Sequence, residues 1–160
     1  SYVQLREASI VNDVVEAARE AGLPGRNITV EVTESMQLQD YNYFNNIFSN
    51  WRNKEMHVSI DDFGTGYSNF DRILSLKLDV VKFDRSLLLM ANKDENSQFI
   101  LNYFSTAFEK LGYKVLYEGV ETDEQEEICV NSHADYLQGF KFSKPIPIEE
   151  LKNFLSPIQE

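Results

Sequence analysis

The 160-residue sequence has one cysteine and two histidines, and its apolar stretches are no longer than strands. The lone thiol, Cys129, excludes a disulfide framework within one chain, and its place in a helix-like segment makes it a packing residue rather than a reactive one. Neither His57 nor His133 stands at metal-ligand spacing from another histidine or cysteine, which disfavours zinc. With no signal-peptide pattern and no membrane-spanning run, the segment reads as soluble and cytoplasmic; a membrane tether elsewhere in a longer parent would leave no trace in it. Basic side chains are also in deficit, 15 against 26 acidic ones, for a net charge of −11. That excludes a surface for DNA or RNA polymers, which needs a basic stripe to neutralise phosphates. A small phosphate ligand stays compatible, because carboxylates can hold a divalent cation and the cation a phosphate. Repeats, low-complexity tracts and linkers are missing too, so residues 1–160 are taken as one unit.

What is present concentrates in Asp61-Asp62-Phe63-Gly64-Thr65-Gly66. Two adjacent carboxylates close an apolar strand, read over 57–60, and two glycines supply the dihedrals of a sharp loop that can pass close to a ligand. Asp-Asp alone is a common turn sequence. Its weight comes from repetition: apolar strands ending in charged or amide side chains are read at 28–34, 57–60, 80–84, 115–121 and 136–139. Helix-like segments separate them at 41–52, 69–76, 97–111 and 122–130. Alternating strands and helices imply a parallel sheet, in which polar residues at the carboxyl ends of the strands converge on one site.

Period-two alternation then sorts the faces. Glu31 and Thr33 share one side of their strand while Val30 and Val32 take the other, so chemistry lies inside and helices pack outside. Lys82 and Asp84 likewise share a side, and an ammonium at Lys82 would balance part of a cluster formed by Glu31, Asp61, Asp62 and Glu118. Tyr41, Tyr43, Phe44, Ile47 and Phe48 form a helical stripe that reads as core. Val11, Val14, Val15 and Ala18 mark a helix over 3–21 that Gly22 ends, Leu87 to Met90 open a helix that packs on the sheet or on a second copy, and a last helix covers 151–155 with Pro147 in its first turn. Asp94, Glu95, Asp123, Glu124, Glu126, Glu127, Glu149 and Glu150 read as solvated surface.

The runs Glu31-Val32-Thr33-Glu34-Ser35, 61–68 (DDFGTGYS), Lys82-Phe83-Asp84-Arg85-Ser86, Glu118-Gly119-Val120-Glu121-Thr122 and 138–145 (QGFKFSKP) resemble, in order and spacing, the successive motifs of the EAL domain. The resemblance implies an α/β fold, a TIM-like (β/α) barrel, and hydrolysis of the bacterial second messenger cyclic di-GMP to linear pGpG. No Glu-Ala-Leu tripeptide occurs, and Ser1-Tyr2-Val3-Gln4-Leu5 resembles the tail of a motif whose asparagine would precede Ser1. The chain is therefore read as a single truncated EAL domain, the last two thirds or about that much of one. At 160 residues it is shorter than the ~250 of a typical closed barrel.

Carried over residue by residue, the resemblance makes Glu31 and Asp61 ligands of a first Mg2+ or Mn2+, with Asp61 bridging to a second ion that Asp62 also binds. Adjacent residues of an ideal strand point to opposite faces, so Asp62 is expected where the strand already turns, aided by Gly64 and Gly66. Lys82 would touch the attacking water or a phosphate oxygen, Glu118 would serve as ligand or general base, and Gln138 would orient water or substrate. Glu34 would anchor the loop after Asp62, through which the family forms homodimers; Asp84 and Glu121 are in a second tier, and for Asp84 a local hydrogen bond is an equal alternative. The resemblance leaves room for GGDEF or sensory domains upstream. An alternative reading is a degenerate EAL domain that binds cyclic di-GMP or a protein partner without hydrolysis. With two metal ligands assigned upstream of Ser1, the 160 residues alone are expected to show little or no activity.

Overall fold

Five strands pair side by side in the order of the sequence: β1 (Thr29–Thr33), β2 (His57–Phe63), β3 (Val80–Phe83), β4 (Lys114–Tyr117) and β5 (Tyr136–Leu137). Every neighbouring pair is parallel. The computed structural model describes residues 8–33, 41–65 and 70–156. Helices α1 (Ala8–Glu20), α2 (Tyr41–Arg52), α3 (Phe70–Ser75), α4 (Arg85–Ala91), α5 (Glu95–Lys110), α6 (Asp123–Asn131) and α7 (Ile148–Phe154) precede, connect and follow the strands. A doubly wound sheet reverses its strand order at a switch point; this one runs straight from β1 to β5, as in the wall of a β/α barrel.

Alternation along the strands builds the two faces. Ile60 stands opposite Val81 and Val81 opposite Val115, and all three are buried on the side where α2 packs on β2 and α5 on β4. Phe63, Phe83, Phe108 and Tyr117 meet there, with the Phe83 ring 5.2 Å from Phe63, 5.9 Å from Phe108 and 5.0 Å from Tyr117. The other face carries Glu31, Ser59, Lys82 and Leu116 and lines a cavity of about 610 Å³. The helical stripe of α2 is core at Phe44 and Phe48, and Trp51, one turn further, extends it; Tyr43 is exposed. Cys129 is fully buried, and burial pushes its thiol up to about 12, as a packing residue requires. The run after Lys82 splits, with Leu88 buried and Leu89 and Met90 exposed. Among the described residues no helix is long and apolar enough to cross a membrane.

Several boundaries differ from the sequence reading, each for a local reason. β2 does not stop at Ile60 but continues through both aspartates to Phe63, with a register irregularity after Ile60. β4 ends at Tyr117 rather than at Glu121, because Gly119 turns the chain at φ +71°. α5 starts at Glu95 instead of 97: the Asp94 carboxylate, exposed as expected, accepts the Ser97 N–H at 2.9 Å and the Ser97 hydroxyl at 2.8 Å and so caps the helix. Asp123, exposed as expected, and the partly covered Glu126 are both paired with Lys141. Thr122 is the N-cap of α6 and forms a capping box with Gln125. The last helix begins at Ile148, with Pro147 as its N-cap rather than in its first turn.

Phe83→Ala removes the ring at the centre of the aromatic cluster and should cost about 3–5 kcal/mol of unfolding free energy in urea titrations. A loss below about 1 kcal/mol would mean that the cluster does not carry the sheet-helix packing.

Candidate active site

Lys82 is the focus of the inner face. Its neighbours Val81 and Phe83 point outward into the core, so alternation turns Lys82 inward, where the residue is only 5% exposed. Its Nζ lies 2.9 Å from Glu31 Oε1, 2.8 Å from Asp61 Oδ1 and 2.9 Å from Glu118 Oε1. The three carboxylates come from β1, from β2 and from the residue after β4, and β3 delivers the ammonium between them. Three donors meet three acceptors, so the ammonium is satisfied. Burial by itself would push its pKa down; the hydrogen bonds to Asp61, Glu31 and Glu118 outweigh that, and the group stands well above its ordinary 10.5.

One cation among three carboxylates leaves the site negative, and Asp62 adds to the excess. Asp62 has φ +60°, a left-handed conformation that aspartate tolerates better than most residues. With the break in register between Ile60 and Phe63, this twist keeps both aspartates on one side of the strand: oxygens of Asp61, Asp62 and Glu118 lie within 4.8 Å of one another. Asp62 thus departs from strand alternation as expected, but through its own left-handed φ inside a continuing strand and not through a turn, with Gly64 following at φ +100°; Gly66 lies outside the described residues. Three carboxylate oxygens at this spacing suit a hard divalent cation such as Mg2+ or Mn2+. Glu31 faces Lys82 and is not part of that trio.

The remaining candidates divide. Gln138 follows β5 directly beside Glu118: its N–H donates to Tyr117 O at 2.9 Å, its carbonyl accepts the Val120 N–H at 3.1 Å, and it is exposed. Asp84 turns to its own helix, accepting the Ser86 N–H at 2.8 Å as N-cap of α4. Glu121 pairs with Arg85 at 2.8 Å. Glu34 lies outside the described residues, as does the loop after Thr65 as far as Asn69. The sequence reading missed Ser59, whose hydroxyl is buried without a hydrogen-bond partner on the cavity wall, in register with Glu31. Counting back by two from Asp61 would have found it.

The sequence profile of the EAL domain matches residues 1–145. The chain belongs to the EAL domain family. It is 34% identical over 151 residues to the cyclic di-GMP phosphodiesterase NbdA of Pseudomonas aeruginosa, a match that covers 94% of this chain and 19% of NbdA. The chain spans about a fifth of the length of the first curated relatives it matches. Among solved structures, the EAL domain of Mycobacterium smegmatis DcpA superposes with a TM-score of 0.89 at 32% identity, covering 97% of this chain and 70% of that one. The manganese and cyclic di-GMP complex of Klebsiella pneumoniae BlrP1 superposes with a TM-score of 0.80 at 29% identity, covering 89% of this chain and 36% of that one.

Within this EAL domain the Lys82 ion cluster makes a stability prediction. A cation whose pKa is higher folded than unfolded contributes fully below pH 10.5 and loses that contribution as the pH climbs towards its folded value. Lys82→Met should lower stability at pH 7 by about 2–3 kcal/mol, less than for a fully buried pair because the carboxylates keep contact with water. The gap to the wild type should stay constant up to about pH 10 and narrow above 10.5. Guanidinium unfolding of both proteins between pH 7 and 11 measures it, and a gap that widens with pH would refute the assignment of Lys82 as a charged centre.

Proposed function

We propose that the protein carrying this chain is a metal-dependent phosphodiesterase that opens cyclic di-GMP to linear pGpG. The observation that carries the reading is the convergence of Glu31, Asp61, Asp62, Lys82 and Glu118 from the ends of four successive strands into one net-negative cluster. The similarity to BlrP1, solved with manganese and cyclic di-GMP, and to NbdA, a cyclic di-GMP phosphodiesterase, supports it. In the reaction, water adds to one phosphorus as that phosphorus releases a ribose oxygen, so one P–O bond forms and one breaks. Glu118, its carboxylate beside Lys82, takes the proton from the water, and the departing ribose oxygen takes up a proton from solvent. Lys82 stands as a fixed positive charge where negative charge develops on the phosphoryl oxygens, and Gln138 orients the water or the dinucleotide. Mg2+ or Mn2+, held by Asp61 and Asp62 with Glu31 and Glu118, would supply charge to the non-bridging oxygens and acidify the water.

In this reading the protein works in the cytoplasm and pairs with a second copy through the loop after Asp62, with Glu34 anchoring that loop. GGDEF or sensory domains elsewhere in its chain fit the proposal.

The test is turnover of cyclic di-GMP by the full-length protein with Mn2+ or Mg2+. Asp61→Ala should reduce turnover at least a hundredfold in a protein that still unfolds cooperatively in urea, at a midpoint lowered by the loss of one Lys82 acceptor, and a chelator should abolish turnover until metal is restored. Unchanged turnover in the variant, or turnover indifferent to chelation, would defeat the proposal. Tight binding of the dinucleotide with no turnover under any metal would establish the receptor reading instead.

A further inference from the structure

We propose that Arg85 and Glu121 form a latch across Gly119 that sets the position of Glu118 relative to Lys82. Both are positioning residues, and their catalytic readout, though not their structural one, rests on the phosphodiesterase reading above. Lys82 lies near the end of β3 and Glu118 just past the end of β4, and the Glu118 N–H donates to Phe83 O at 3.0 Å. Beyond that bond the two chains part: Asp84 caps α4, Arg85 is the helix's first residue, and Gly119 turns at φ +71°.

The Arg85 side chain passes directly under that turn. A Cβ on Gly119 would lie 2.5 Å from Arg85 Cγ and 2.7 Å from its Cβ and Cδ, so the glycine backbone rests on the arginine stem. The guanidinium then reaches past it, and Nη2 donates to Glu121 Oε2 at 2.8 Å. Glu121 is fixed in turn, because its N–H donates to Gln125 Oε1 at 2.7 Å inside the capping box of α6. The turn after Glu118 is thereby draped over one side chain of α4 and pinned beyond it. The arginine and glutamate side chains are 48% and 35% exposed, so the pair adds little to global stability. Its contribution is local: it holds a short turn whose first residue is a member of the Lys82 cluster.

Three variants of the full-length protein test the latch: Arg85→Met, Glu121→Gln and the conservative Arg85→Lys. In the metal-free protein, amide hydrogen exchange at Glu118 should accelerate roughly three- to fivefold in the Met and Gln variants, with less change in Arg85→Lys and none at Val81 or Val115. Manganese titration should show weaker binding in the same two variants, and turnover of cyclic di-GMP should show a lower kcat at nearly constant KM and unfolding midpoint. Wild-type exchange at Glu118 in both variants overturns the latch. So does faster exchange that leaves manganese affinity at the wild-type value. If the wild type itself does not turn over the dinucleotide, the phosphodiesterase reading fails, and the latch is decided by exchange and manganese affinity alone.

Discussion

A buried ammonium shared by three carboxylates governs the geometry of this protein. Lys82 can be charged at 5% exposure only because Glu31, Asp61 and Glu118 supply an acceptor for each of its protons. The acceptors in turn could not stand so close without it. This mutual dependence fixes the relative heights of β1, β2, β3 and β4, since a slip of one residue on any strand would turn its member of the cluster to the outer face. Lys82 bonds to Oδ1 of Asp61 and Oε1 of Glu118, and oxygens of these two carboxylates and of Asp62 lie within 4.8 Å of one another, a spacing that suits another cation. The same acids can therefore hold the lysine and a metal together, and the lysine sets the spacing that a metal would meet.

Asp62 is the point where backbone and chemistry meet. A regular strand would send it to the helix side, into a layer filled by Ile60, Phe63 and Phe83. Its left-handed φ of +60° and the break in register keep it beside Asp61, and Phe63, after the break, returns to the core opposite Phe83. Residues held in such conformations persist where the surroundings over-determine them. Here the aromatic cluster around Phe63 holds one side of the distortion, and Gly64 follows at φ +100°, where a Cβ would lie 2.6 Å from the Leu87 side chain.

The strands and their inner and outer faces were legible because alternation has a period of two and the helices between them have another. Val30 and Val32 against Glu31, and Val81 and Phe83 against Lys82, needed only the order of the residues. The convergence of Glu31, Asp61 and Glu118 was legible for the same reason, given a parallel sheet. What escaped was local backbone geometry. Nothing in Ile60-Asp61-Asp62-Phe63 announces that the strand continues through a bulge, because the signal is a dihedral and not a residue type. Asp84 shows the complementary limit: an aspartate at a strand end and an aspartate at a helix start are the same letter, and the helix beginning at Arg85 claims this one. Arg85 and Gly119 escaped because their contact joins positions far apart in sequence, with no periodicity to expose it.

The acidic composition acquires a different meaning at the two ends of the sheet. Asp79 and Asp135 each stand one residue before a strand and perform the same backbone task. Val58 N–H donates to Asp79 Oδ2 at 2.9 Å while Asp79 N–H donates to Val58 O at 2.8 Å; Val115 and Asp135 repeat the exchange at 2.8 and 2.9 Å. Each has its own cation, Arg52 for Asp79 and Lys114 for Asp135. These aspartates zip the amino ends of neighbouring strands and are neutralised one for one. At the carboxyl ends the count differs, with one lysine set among Glu31, Asp61 and Glu118 and with Asp62 alongside. In β/α barrels the amino face serves stability and the carboxyl face chemistry. Here that division is drawn in charge: the balanced acids hold the sheet together, and the unbalanced ones create a field that a divalent cation would neutralise.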